Sequence, residues 1–396
     1  MSAILEGTPD KKLALVTGRA YPEQAHETAK YLGIDVLETT AYDFANGEMY
    51  VRYTEPVRGA DAFVMQAHTE PINKWIMEQL IMVDAMKRAS ARSITVVAPF
   101  LGYSRQDKKH QGREPITARL IFDLFRAAGA DRIMTVDLHA AQEQGFFDGP
   151  VDHLTATPVL LDYVRNNMPL ENTTIVSPDA GRIKVSEQWA AKLGNLPLAF
   201  IHKTRDTTRP NHAEAHGIIG EVEGRDCVVV DDMIDTAGTI CEAVRTLNNA
   251  GAKSVTLVAT HGLLSGPAVE RLRNCGAKEI VLTDTVPVPE EKRLPNMTVL
   301  SVAPLLAAGI RAGEDGVQLL LTLPQQRLRL AAVCGGLDAL QIGQDHAVIE
   351  DALVPAVGGV ALIAGLGPDE LRQQRHRSAD LVPAVTAGDV IGRCHR

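Results

Sequence analysis

The sequence predicts an α/β protein of mostly parallel sheets flanked by helices, and three observations carry that expectation. Short apolar runs of strand length alternate with longer stretches whose apolar residues recur at helical spacing. The runs are continuously apolar rather than alternating, as strands covered on both faces must be. The rhythm then restarts. D-R-I-M-T-V-D-L-H (131–139) and R-D-C-V-V-V-D-D-M (225–233) share a charged start, an apolar strand and an acid at its carboxyl end. Buried strands look alike, so chance is the alternative, but the two fit a pair of similar domains meeting near residue 155.

Taken in order, Leu13–Thr17 reads as a strand and Pro22–Leu32 as a helix. Ala62–Gln66 is the next strand. In 71–90, Ile72, Ile76, Leu80, Val83 and Met86 form a core-facing helical stripe. Ser93–Ala98 and Arg132–Val136 are buried strands with a helix from about Ile116 to Ala128 between them. Beyond the restart, Thr174–Ser177, Leu198–Ile201, Cys227–Val230, Val255–Ala259 and Glu279–Leu282 are strands. An amphipathic helix through Cys241, Val244 and Leu247 ends near Asn249-Ala-Gly251.

A chain of 396 residues has room for two or three domains, each with its own core. A net charge of −9 argues against a general nucleic-acid binder. The five cysteines have no C-x-x-C spacing and read as core or tail residues. The amino-terminal residues lack a basic segment followed by an apolar core, and the longest uncharged run, 352–368, is broken by glycines and prolines. No membrane segment and a reducing cytoplasm are therefore expected.

The most informative stretch is C-V-V-V-D-D-M-I-D-T-A-G-T, Cys227–Thr239. A buried strand ends in Asp231 and Asp232, and Asp235, Thr236, Ala237, Gly238 and Thr239 form a turn ahead of a helix. Successive backbone N–H groups, two hydroxyls and a helix N-terminus suit a phosphate dianion. Paired carboxylates accept hydrogen bonds from sugar hydroxyls. The ordinary alternative, carboxylates that only cap the helix, would suffice for one isolated acid. For a strand, two acids and D-T-A-G-T the ligand is favoured.

Other segments join it. Phe44–Glu48 (F-A-N-G-E) sets an aromatic, an amide and a carboxylate around a glycine, which turn chemistry explains equally well. Arg105–His110 (R-Q-D-K-K-H) is a basic loop following a strand, at the edge where α/β sheets bind ligands; its alternatives are a solvated surface or a nucleic-acid patch. Asp137-Leu-His139 and Ser177-Pro-Asp-Ala-Gly-Arg182 place acids and an imidazole near strand ends. His-Lys-Thr-Arg (202–205) puts Lys203 and Arg205 on one face if the backbone is extended, and the polar segment 206–216, with Gly217 after it, reads as a mobile loop. No G-x-x-x-x-G-K-[ST] is present, so a nucleotide would not be held by a P-loop.

The 227–239 stretch resembles the 5-phosphoribosyl-binding loop of type I phosphoribosyltransferases. With R-Q-D-K-K-H, T-V-D-L-H, V-S-P-D and H-K-T-R in order, residues 10–310 resemble the ribose-phosphate pyrophosphokinase family. The resemblance implies two phosphoribosyltransferase-type domains, 1–155 with the ATP loops and 156–310 with the catalytic and ribose 5-phosphate loops. It implies ATP binding by Phe44, Asn46, Gly47, Glu48, Arg105, Gln106, Asp107 and His110. Ribose 5-phosphate falls to Arg205, Asp231, Asp232, Asp235, Thr236, Ala237, Gly238 and Thr239. Mg²⁺ falls to His139 and Asp179, and catalysis to Lys203 and Arg205. A homo-hexamer with ATP sites near subunit boundaries is implied as well, with neither nucleic acid nor membrane as partner.

The implied reaction is attack of the anomeric hydroxyl of ribose 5-phosphate on the β-phosphorus of ATP, with AMP leaving. Two other readings remain: a non-catalytic regulatory relative, disfavoured because Lys203, Arg205, His139 and Asp231 are present, and a phosphoribosyltransferase, disfavoured by the 44–48 and 105–110 segments. Ala237 stands where many family members have glycine. From Arg311 onward the chain has no Lys, Asn, Met or aromatic residue. Residues 311–396 are expected to be an atypical appended or out-of-frame tail.

Overall fold

In the computed structural model, which describes residues 13–204, 215–315, 318–322 and 329–333, the apolar runs become the strands of two sheets. β1 (Leu13–Thr17) leads into α1 (Pro22–Leu32), and a hairpin of β2 (Thr39–Asp43) and β3 (Met49–Tyr53) follows. Next come β4 (Asp61–Met65), α2 (Ile72–Arg88), β5 (Ser93–Val97), α3 (Thr117–Ala128), β6 (Arg132–Val136) and β7 (Val151–Leu154). Five of these strands pair in parallel in the order β1-β4-β5-β6-β7, and the hairpin forms its own two-stranded sheet. Val16, Val64, Val96 and Ile133 at the centre of this sheet are fully buried because helices cover both faces.

Helix boundaries follow local chemistry. α1 opens on Pro22, whose missing N–H has no partner in a first turn anyway. It closes at Gly33, whose φ of 73° is the left-handed conformation that glycine adopts without a Cβ clash.

The second sheet begins after α4 (Thr157–Asn167). It contains β8 (Thr173–Ser177), α5 (Ile183–Lys192), β9 (Leu198–Thr204), β10 (Ala215–Ile219), β11 (Asp226–Ile234), α6 (Gly238–Asn249), β12 (Ser254–Gly262), α7 (Ala268–Asn274), β13 (Glu279–Thr283) and β14 (Met297–Leu300). The order is β10-β9-β8-β11-β12-β13-β14, parallel throughout except for β10 against β9. The α/β expectation is thus met by parallel sheets flanked by helices.

One apolar core joins the sheets: Phe63, Met65 and Met134 of the first share a cluster with Val228, Val230, Val258 and Val281 of the second. α8 (Ala303–Asp315) belongs to that cluster through Val302 at its start and Leu305, Leu306 and Ile310 within it. It lies against α1, where Arg311 donates to the Tyr31 carbonyl and Ser301 Oγ donates to Glu27 Oε1 at 2.8 Å. Gln24 Nε2 adds a 2.5 Å bond to the Asp284 carbonyl.

β11 departs from expectation in length. It runs on through Ile234, so Asp231 and Asp232 lie within a strand rather than beyond its end, with Asp231 opposite Ala259 of β12. Of the tail, the end of α8 and a hairpin of β15 (Gln318–Thr322) and β16 (Arg329–Val333) are described. The rest of the tail lies outside the described residues.

Candidate active site

The carboxyl ends of the central strands gather most of the predicted residues. β11 delivers Asp231 and Asp232, and the Asp232 N–H donates to Asp231 Oδ1 at 2.8 Å. His139, three residues past β6, brings Nδ1 to 2.7 Å from Asp232 Oδ2, although the two lie 93 positions apart in the chain. A carboxylate at that distance fixes the Nδ1 proton, which donates to Asp232. Arg182 completes the group. Its Nε stands 3.2 Å from Asp231 Oδ1, and Nη2 forms an ion pair with Asp232 Oδ2 and approaches His139 Nδ1 at 3.1 Å.

These contacts drive the two acids apart. Burial, reinforced by the adjacent Asp232 carboxylate and opposed by Arg182, pushes Asp231 well above the usual carboxylate range. Burial acts on Asp232 too, but there the His139 hydrogen bond and the Arg182 charge prevail and hold the carboxyl well below its usual range.

Past β11, the Asp235 carbonyl accepts from Ser265 N at 2.9 Å, and Arg271 Nη1 donates to the Thr236 carbonyl at 2.9 Å. Ala237 adopts φ 59°, ψ 11°, a left-handed conformation at the N-cap of α6, and its side chain is buried. Gly238 and Thr239, expected in the turn, are the first residues of the helix. The loop thus ends on a helix N-terminus with its positive dipole end toward the turn.

The loop after β5 meets this turn. Arg105 Nη2 lies 2.7 Å from Asp235 Oδ2. The loop is pinned to α3, where Thr117 Oγ1 donates to Gln106 Oε1 at 2.6 Å and Ala118 N donates to the Gln106 carbonyl at 3.2 Å. Asp107 is buried, while the His110 N–H donates to Glu114 Oε2 at 2.7 Å. Between the loops opens a cleft of about 370 Å³ whose walls include Tyr103, Arg105, Gln106, Phe100, Asp235 and Ser265.

The other predicted residues fall elsewhere. Phe44, Asn46, Gly47 and Glu48 form the tip of the β2–β3 hairpin, outside the lining of that cleft. Asn46 Oδ1 accepts from Glu48 N at 3.2 Å, Gly47 takes φ 89°, and Phe44 stands exposed beside Tyr42 and Tyr50. At the hairpin root, Asp43 is paired with Arg19 at 2.6 Å and Lys74 at 2.7 Å. Asp179 caps a short 3-10 turn, accepting from Gly181 N at 2.8 Å. The backbone at Lys203 is extended in β9, opposite His216 of β10; the Lys203 side chain and all of Arg205 lie outside the described residues.

Three residues at the site carry no role in the sequence reading, and only His261 is absent from its motifs. Arg182 was visible only as one more charged residue after Ser-Pro-Asp-Ala-Gly. Asp137, at φ 40°, accepts from Ala156 N at 3.0 Å and Thr260 Oγ1 at 2.7 Å, tying the first sheet to the second. His261 is buried and donates from Nε2 to the Asp137 carbonyl at 3.0 Å.

Comparison with known proteins gives this arrangement a family. Residues 13–129 match the N-terminal domain of ribose phosphate pyrophosphokinase, and residues 203–318 match the phosphoribosyl synthetase-associated domain. A ribose-phosphate pyrophosphokinase of Bifidobacterium longum is 72% identical over 319 residues, 80% of this chain and 94% of that protein. One from Streptomyces avermitilis is 58% identical over 79% of this chain and 96% of its own. The crystal structure of phosphoribosylpyrophosphate synthetase from Mycobacterium smegmatis superposes with a TM-score of 0.74 at 55% identity, spanning 77% of this chain and 100% of that one. With likeness of sequence and of fold running through both sheets and the loops between them, the chain belongs to the ribose-phosphate pyrophosphokinase family.

Proposed function

We propose that the site transfers the pyrophosphoryl group of ATP to the anomeric hydroxyl of ribose 5-phosphate, giving 5-phosphoribosyl 1-diphosphate and AMP. The observation that carries this reading is the 2.7 Å Arg105–Asp235 pair: a loop assigned to the nucleotide meets the loop assigned to the sugar phosphate. The sugar's phosphate sits on Asp235, Thr236, Ala237, Gly238 and Thr239 at the start of α6, and its hydroxyls face Asp231 and Asp232. The anomeric oxygen attacks the β-phosphorus, the bond from that phosphorus to the α-phosphate oxygen breaks, and the hydroxyl proton is released. Lys203 and Arg205 neutralise the charge developing on the transferring group. Such transfer depends on positioning and charge rather than on a covalent enzyme intermediate.

Arg105, Gln106, Asp107 and His110 hold the nucleotide from this subunit. The exposed Phe44, Asn46, Gly47 and Glu48 reach the site of a neighbouring copy in a homo-oligomer, a hexamer by resemblance. Supporting that assignment, the hairpin tip is exposed, aromatic and outside its own chain's cleft. We divide the two domains near residue 155.

His139 and Asp179 are the residues that would hold Mg²⁺. Among the described residues no three His, Cys, Asp or Glu side chains form a complete cage. That fits an ion that keeps water and takes substrate phosphates as donors. When bound, the ion supplies neutralisation of polyphosphate charge.

The test is AMP release from ATP and Mg²⁺ with and without ribose 5-phosphate. AMP formed only with the sugar phosphate is expected; none, or release independent of the sugar, overturns the reading. In the same assay Lys203→Ala should lose about 10³ in turnover, by analogy with removal of a phosphoryl-stabilising cation. Near-native turnover would remove Lys203 from the chemistry.

A further inference from the structure

Arg182 has no role in the reaction as assigned above, yet its guanidinium occupies the middle of the site. Its root is fixed by a tight turn: Ser177 Oγ donates to the Asp179 carbonyl at 2.7 Å, and Asp179 Oδ1 accepts from Gly181 N at 2.8 Å. From that turn the side chain, only 17% exposed, reaches both carboxylates of β11 and the imidazole following β6. It contacts Oδ1 of Asp231, which also accepts from Asp232 N, and Oδ2 of Asp232, which also takes the proton of His139.

Two adjacent, half-buried acids repel each other, and one hydrogen bond each, from Asp232 N and from His139, leaves them free to pivot. A planar guanidinium with a fixed fork of donors can pin both at once, which a lysine's single ammonium cannot do with the same geometry. We propose that Arg182 is a positioning residue that sets specificity for the sugar: by pinning one oxygen of each carboxylate, it presents the other to the adjacent 2- and 3-hydroxyls of ribose 5-phosphate. This rests on the reading of Asp231 and Asp232 as the acceptors for the sugar hydroxyls. It gives the site a reason to prefer ribose over 2-deoxyribose. Of two rigidly held acceptors, one would be left facing no donor when the 2-hydroxyl is missing, and a site built to bond a hydroxyl rejects the analogue without it.

The experiment compares the full chain with Arg182→Ala and Arg182→Lys, using ribose 5-phosphate and 2-deoxyribose 5-phosphate as alternative substrates. Arg182→Ala should lower kcat/KM for ribose 5-phosphate by roughly 10- to 100-fold, the range for a lost hydrogen-bonding charged partner. It should lower that for the deoxy sugar far less, so that the ratio between the two collapses. KM for ATP should move about twofold or less, and Arg182→Lys should restore part of the ratio. An unchanged ratio in Arg182→Ala overturns the proposal, as does an equal loss for both sugars and ATP accompanied by a lower melting temperature, which marks Arg182 as structural.

Calorimetric titration of the two sugar phosphates keeps the test independent of turnover. A wild-type chain that forms no AMP but binds ribose 5-phosphate in preference to its deoxy analogue, with the preference lost in Arg182→Ala, would remove the reaction and leave Arg182 as assigned. A wild-type chain that binds both sugars equally overturns it.

Discussion

Glu143 is a buried carboxyl outside the assigned catalytic set, and the balance of forces on it makes a measurable claim. Its Oε1 accepts from Ala140 N at 2.9 Å, and Oε2 is buried with no hydrogen-bond partner among the described residues. Burial raises the group from 4.5 to about 7, against the Ala140 bond and with further upward pressure from Asp107 and Asp232. The folded chain thus keeps a proton that the unfolded chain has released between about pH 4.5 and 7, so stability falls as pH rises through that window. Glu143→Gln mimics the protonated form. It should match the wild-type melting temperature at pH 5 and exceed it by about 2 °C or more at pH 8; equal melting at both values would show that the carboxyl imposes no such penalty.

Ala237 makes a second claim at this scale. Its φ of 59° costs alanine on the order of 1 kcal/mol and is far worse for a β-branched residue. The single methyl anticipated from the sequence is accommodated by burial in the second core cluster. Ala237→Val should lower the melting temperature and weaken ribose 5-phosphate binding at least tenfold, whereas Ala237→Gly should leave both near wild type. A native-like Val variant would mean the turn does not need the left-handed conformation.

Among the elements, those with the strongest local chemistry were legible in the sequence. Leu13–Thr17 and Pro22–Leu32 were read at their observed bounds because an uninterrupted apolar run, a first-turn proline and a closing glycine all act within a few residues. β11 was cut short because Asp231 and Asp232 look like the end of a buried strand; pairing with β12, remote in sequence, carries the strand four residues further. The β2–β3 hairpin was passed over although Asn46-Gly47 lies beside the alternating Met49–Tyr53, because both strands are half exposed and lack the continuous apolar run that marked the buried strands. Within the site, the residue types of the loops were legible. The meeting of His139 with Asp232, and Arg182 between them, was not, because it depends on how two sheets come together.

The hairpin root shows how magnitudes separate similar ion pairs. Asp43 is exposed, so its pairs with Arg19 and Lys74 are screened by water and contribute little. Glu78 is fully buried and relies on Arg19 Nε at 2.6 Å, the Arg19 N–H at 2.7 Å and Gln66 Nε2 at 2.9 Å. Removing the guanidinium leaves an uncompensated buried carboxylate, at about 3–5 kcal/mol. Arg19→Ala should therefore destabilise the chain several times more than Asp43→Ala in denaturant titrations. Equal effects would show that the exposed pair, and not Glu78, is what Arg19 serves.

At the scale of the molecule, the two sheets share one core. Val302, Leu305, Leu306 and Ile310 bury about 1.5–3 kcal/mol apiece, a sum comparable to the net stability of a whole domain. A chain ending at residue 300 should therefore lose cooperative melting and aggregate. A chain ending at residue 336 keeps every described element and should retain sugar-dependent AMP formation. Intact folding of the 300-residue chain would show that α8 is dispensable.

Because α8 closes over α1, the order of synthesis and the order of assembly are at odds. On the ribosome the strands of the first sheet emerge early, but the helix covering Ala25 and Ala29 comes out almost three hundred residues later. Until then an apolar face of the nascent chain has no cover. At about 5–20 residues per second that interval lasts on the order of fifteen seconds to a minute. Slower translation prolongs that exposure, so the yield of folded protein should depend on translation rate even where its final stability does not.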